Sequence, residues 1–158
     1  MLPAVVDQLA ARGVAVSVTN AQNQPPGQPP LGMEPGSELA ERFEALARQL
    51  PQFVAAVLRL RAAGVPLTIS SDAVIGPHKP HDVLPWGPEL ASMVGFTGAE
   101  ALRAVTSVAA DACRVGDHKG RIGPGYDADL LAVDGGPLTD PSAVRRVVAV
   151  FRAGQRVR

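Results

Sequence analysis

Aromatic rings, cysteine and net charge are all scarce in this sequence, and each scarcity excludes something. Phe, Trp and Tyr together reach only 4%, too few for the stacking platforms that hold single-stranded nucleic acid. The 15 basic and 15 acidic residues cancel, so no global field draws in nucleic acid or an anionic membrane. Neither is expected as a partner. Arg145, Arg146, Arg152, Arg156 and Arg158 are the only gathering of positive charge, and they read as a solvated face rather than a binding patch. The single cysteine, Cys113, excludes an internal disulfide. It lies in a helical pattern among alanines, where a buried, inert thiol is expected. The sequence has no apolar run of about 18 residues and no charged-then-apolar leader. A soluble, cytoplasmic protein is the expectation.

What the chain does have is a 46% hydrophobic content, ample for the core of one ordinary domain. Leu2–Ala11 reads as a short helix stopped by Gly13, and the β-branched run Val14–Thr19 reads as a strand. Asn20–Gly36 is crowded with prolines, glycines and amides, so a long irregular loop is expected there. Ser37–Ala63 carries the clearest helical pattern. Leu39, Phe43, Leu46, Leu50, Phe53, Val57 and Leu60 fall three and four apart on one face. Pro51 should kink this helix or open a second one.

Gly64 ends the helix, and Val65, Leu67 and Ile69 form a short apolar run that closes on Ser70, Ser71 and Asp72. Such a run after a long helix fits a buried parallel strand. A helical crossover between two strands makes them parallel, so Thr19–Asn20 and Ser71–Asp72 should share one rim of a sheet. In α/β folds ligands and chemistry collect at the carboxyl ends of strands. Asp72 is therefore the leading candidate residue, although a helix cap or turn role is also open to it. His78 and His81 follow in a proline-bracketed loop. No third nitrogen or sulfur lies near them, so they read as substrate contacts or loop packing rather than a metal pair.

Further on, Glu89–Phe96 reads as a short helix, and Thr97-Gly-Ala-Glu100 is a capping box opening another that continues past Ala109 to Ala112. Gly120–Gly125 is glycine-rich but lacks the Lys-Ser/Thr of a phosphate loop and reads as turns. Asp127 and Asp129 flank the entry to the strand Leu130–Val133. They could bind a cation, but such acids more often satisfy turn amides. Val147–Phe151 reads as a strand, with Ala153-Gly154 turning it into Gln155–Arg158.

Three segments together resemble one family. They are Ala62–Ala73, ending Ile-Ser-Ser-Asp-Ala; Thr97–Thr106 with Ala109 and Ala112; and Gly120–Asp134, with Asp-Ala-Asp129 at its centre, followed by Val150–Gly154. The resemblance is to the C-terminal part of the metal-dependent amidohydrolases, especially the imidazolonepropionase-like branch. It runs nearly end to end and is strongest over Gly64–Val157.

The resemblance implies an α/β fold, a partial TIM-like (β/α) barrel followed by strands of a small β-sandwich. Residues 1–119 would supply the last two barrel strands and their helices, and residues 120–158 the sandwich strands. It implies hydrolysis of carbon–nitrogen bonds, often in cyclic amides, with a divalent metal, zinc foremost, and a small-molecule substrate. Asp72 would match the eighth-strand aspartate that touches the metal and shuttles a proton. His78 and His81 would border the substrate. The family's other metal ligands, a His-x-His pair and further histidines, have no counterpart here. A fragment that is inactive alone is therefore expected, completed by a missing N-terminal portion or by homo-oligomerisation. The alternative is a non-catalytic remnant or interaction module that docks through exposed strand edges.

Overall fold

The structure, a computed structural model, describes residues 3–19, 34–73 and 81–158. The chain opens with helix α1 (Pro3–Ala11) and strand β1 (Val16–Thr19). Gly13 takes a positive φ of 60° to turn between them, a conformation glycine adopts without steric cost. Helix α2 (Glu38–Ala62) follows, then strand β2 (Leu67–Ser70). The ends of α2 are set by local chemistry. The Ser37 side chain accepts a hydrogen bond from the Ala40 amide at 3.2 Å, and Glu38 and Glu41 occupy the first turn. Arg59 and Arg61 sit in the last turn, and Gly64 follows at φ 74°. A single assigned helix runs through Pro51, so Pro51 does not open a second helix.

β1 and β2 pair in parallel, Val16 against Leu67 through Thr19 against Ser70. One core cluster joins Val6, Val57, Leu60, Val65 and Leu67, with Val16 and Val18 packed on it. A second holds Ile69 against Ala91, Ala101 and Ala104. Each fully buried Val, Leu or Ile side chain contributes roughly 1.5–3 kcal/mol. The apolar stripe of α2 is only partly covered. Val57 and Leu60 are buried, whereas Leu46, Leu50 and Phe53 are exposed.

A 3-10 helix (His81–Trp86) leads into helices α3 (Gly87–Met93), α4 (Gly98–Val105) and α5 (Ser107–Ala112). The expected capping box is present at α4. The Thr97 side chain accepts from the Glu100 amide at 3.2 Å, and Glu100 accepts from the Thr97 amide at 2.8 Å. The single helix expected through Ala112 is instead broken at Thr106, which has φ −127° and ψ −93°. Its hydroxyl donates to the Leu102 carbonyl at 2.7 Å while its amide turns to Arg103. A side chain that bonds its own helix backbone competes with the ladder in this way.

The last part of the chain is an antiparallel sheet in the order β3 (Leu130–Val133), β4 (Val147–Arg152), β5 (Gln155–Arg156). A second 3-10 helix, Pro141–Arg145, lies between β3 and β4. Ala153 and Gly154 join β4 to β5 with φ 48° and 77°, the positive pair that a tight two-residue hairpin turn requires.

Two close approaches tie this sheet region to the helices. A Cβ on Gly98 would stand 2.0 Å from the Leu138 carbonyl oxygen. The Arg145 guanidinium lies 3.8 Å over the Trp86 ring and pairs with Glu89. Arg146 pairs with Asp140 at 2.7 Å and donates to the Asp134 carbonyl. Arg145 is thus a half-buried structural partner rather than part of a solvated face, whereas Arg146 is exposed as expected and forms its bonds at the surface. The expected burial of Cys113 is also wrong, because its thiol is exposed. α5 ends at Ala112, so the cysteine falls in the cap beyond the packed turn.

Candidate functional site

Asp72 stands two residues past the end of β2 and is exposed. Its φ is 50°, in the left-handed region that aspartate tolerates better than most non-glycine residues. Residues held in such conformations cluster at functional sites. The Ser71 hydroxyl accepts from the Ala73 amide at 3.3 Å, across the turn that carries Asp72. Because β1 and β2 are parallel and end in register at Thr19 and Ser70, the carboxyl ends of both strands form one rim, and Asp72 follows directly on it. The Ser17 and Ser70 hydroxyls are 2.7 Å apart just below that rim.

His78 lies outside the described residues. His81 opens the first 3-10 helix and is exposed, while Val83 in the same turn is fully buried and anchors it. The His81 side chain forms no hydrogen bond or ion pair with another described residue. Among the described residues, no group of three or more His, Cys, Asp and Glu side chains gathers as a metal site. The described donor set therefore does not by itself fit a divalent cation, which needs several ligands at once.

Asp127 and Asp129, the other acids singled out from sequence, are held by Lys119. Its ammonium lies 2.7 Å from a carboxylate oxygen of each. Asp129 also accepts from the Ala153 amide at 2.9 Å. Lys119, and then the Ala153 amide, draw the Asp129 carboxyl below its ordinary value, and both aspartates raise the lysine. The cation between these acids is thus the chain's own, and one acid serves a turn amide besides. Sequence reasoning missed Lys119, which is ten residues from Asp129 and carries no short-range signal.

It also missed the pair between Arg61 and Glu100, whose guanidinium nitrogen is 2.8 Å from both carboxylate oxygens. Arg61 lies 5.3 Å over the Phe96 ring as well. Its hydrogen bonds, with those from Thr97, pull the Glu100 carboxyl from 4.5 down to about 2.

Residues 6–158 match the model of the amidohydrolase family. The chain belongs to the amidohydrolase family. Solved structures agree on the fold of this amidohydrolase chain. A prolidase complexed with N-methylphosphonate-L-proline superposes with a TM-score of 0.77 at 26% identity, covering 98% of this chain and 37% of the prolidase. A molinate hydrolase gives a TM-score of 0.71 at 18% identity, covering 99% and 35%. An adenosine deaminase from Xanthomonas campestris with bound zinc gives 0.66 at 21% identity, covering 99% and 34%. No match is found among curated proteins. The amidohydrolase chain thus spans little more than a third of the structures it resembles, and its mixed α/β architecture is the one their fold contains. No described helix is long and apolar enough to cross a membrane.

Proposed function

We propose that this amidohydrolase chain is the C-terminal part of a metal-dependent hydrolase that cleaves carbon–nitrogen bonds, often in cyclic amides, and that it is inactive alone. In this reading β1 and β2 are the seventh and eighth strands of a (β/α) barrel, and β3–β5 belong to a small β-sandwich beginning near residue 120. The imidazolonepropionase-like branch is the nearest functional type, and the cytoplasm the compartment. The observation that carries the reading is Asp72, an exposed carboxylate in a left-handed turn at the carboxyl end of a parallel strand. Chemistry in barrel folds collects at that rim.

Asp72 would take the proton of the attacking water and return it to the leaving nitrogen, the general acid–base work a rim carboxylate performs. The divalent cation, zinc foremost, would supply Lewis acidity once ligands outside the described residues complete the site, with Asp72 as this chain's contribution. His78 and His81 would border a small-molecule substrate. Family membership and the hydrolase neighbours support this reading.

The test is Asp72→Asn in the full-length hydrolase. The expected result is a loss of kcat of roughly 10²–10⁴-fold, with stability within about 0.5 kcal/mol of wild type. Near-wild-type turnover would overturn the assignment. A second reading, a non-catalytic module that docks on a partner or on a second copy, draws on the exposed Leu46, Leu50 and Phe53 of α2. Turnover in any preparation containing this chain that is lost on Asp72→Asn decides against it.

A further inference from the structure

The two faces of the β1–β2 pair differ completely in chemistry. Val16, Val18 and Leu67 pack on the first core cluster, and Ile69 on the second. The alternate positions are Ser17, Thr19, Thr68 and Ser70, a hydroxyl at every one. Register sets Ser17 beside Thr68 and Thr19 beside Ser70. The 2.7 Å contact between the Ser17 and Ser70 hydroxyls places those two on the same side. Thr68 is only 6% exposed, yet its hydroxyl makes no hydrogen bond with a described residue.

Barrel interiors are normally filled by valine, isoleucine and leucine. A buried hydroxyl without a partner is unfavourable. Thr68 is the one buried hydroxyl of the four, Ser17 and Thr19 are exposed and Ser70 is half-buried, so together they make a hydrogen-bonding surface rather than apolar packing. None carries charge, and each can both donate and accept. That combination suits a neutral amide, which offers an N–H and a C=O together, better than an alkyl group or a bare carboxylate. The row also runs toward the chemistry. Ser70 precedes Asp72 by two residues, roughly 7 Å along an extended chain, a span that one small substrate can bridge.

We propose that this hydroxyl face is a substrate-recognition wall below Asp72. Thr19 and Ser70 contact a neutral amide group of the substrate, Ser17 is a positioning residue that orients Ser70 through their hydrogen bond, and Thr68 continues the polar wall one step deeper. The inference rests on the hydrolase reading above.

The experiment uses the full-length hydrolase with a panel of cyclic imides, N-acyl amino acid amides and dipeptides. Ser70→Ala and Thr19→Val should each raise KM about three- to tenfold, the range a neutral hydrogen bond accounts for, with kcat within about twofold. Ser17→Ala should give a smaller rise in KM that Ser17→Thr restores, which a purely structural role would not show. Unchanged KM in Ser70→Ala and Thr19→Val would overturn the wall. Melting of Thr68→Val is an independent arm. If the face were sealed apolar core, removing an unpartnered hydroxyl would raise Tm by several degrees, and that rise would also overturn the proposal. Unchanged or lowered Tm is expected. If no panel member is turned over, or if Asp72→Asn keeps its turnover, the hydrolase reading fails and the melting arm decides the wall alone.

Discussion

Around β1 and β2 the buried clusters join Val6, Val57, Leu60, Val65, Leu67 and Ile69 with Ala91, Ala101 and Ala104 of α3 and α4. Around β3–β5 the buried residues are Ala143 and Ala149, while Leu131, Leu138, Val148 and Val157 are exposed. The second region relies on polar ties instead. Lys119 spans Asp127 and Asp129, Arg121 pairs with Asp111 at 2.7 Å, and Arg146 pairs with Asp140. Exposed pairs of this kind contribute little each. What they fix is the path of turns, where Asp129 and Asp140 cap backbone amides. Aliphatic burial thus positions the rim that carries Asp72, and charge sets the shape of the sheet region beside it.

Four substitutions probe this contrast, beginning with the largest expected effect and its exposed control. Leu60→Ala removes a side chain 3% exposed and should cost about 2–5 kcal/mol by urea unfolding. Leu50→Ala, on the same helix but 55% exposed, should cost under about 0.5 kcal/mol. Equal losses at the two positions would break the contrast. Gly98→Ala drives a methyl into the Leu138 carbonyl at the seam between the regions, and should cost about 1–3 kcal/mol. Arg145→Ala, also at the seam, forfeits the stack on Trp86 and the pair with Glu89, about 1–2 kcal/mol.

Glu100→Gln should lower stability at neutral pH by less than the core truncation and carry a distinct acid signature. Arg61 and Thr97 hold the Glu100 carboxyl down at about 2 from 4.5. A lowered folded value means that its contribution is complete above pH 4.5 and fades as pH falls through about 2. The wild-type melting temperature should therefore drop more steeply across that window than that of the variant.

Much of the fold was legible because its signals are local. Ser37 and Gly64 mark the ends of α2, Thr97 and Glu100 open α4, and Ala153-Gly154 turns the last hairpin. The parallel pairing followed from a helix between two strands. Less legible was anything that depends on distant partners. Arg145 meets Glu89 across 56 positions and Lys119 meets Asp129 across ten. The exposure of Cys113 depended on where α5 stops, at a turn in which Arg114 takes a φ of 60°. For the site, the rim position of Asp72 could be read from strand order. The hydroxyl wall could not, because alternation in each strand shows two faces but only the register shows that the polar ones coincide.

Trp86 is the sole tryptophan in the sequence, and its ring lies beneath the Arg145 guanidinium at the seam between the helices and the terminal sheet. Indole emission responds to a neighbouring cation and to wetting. The molecule thus carries a built-in optical gauge at a place where the helices and the sheet would part, so a change in emission would report their separation even while every helix stayed intact.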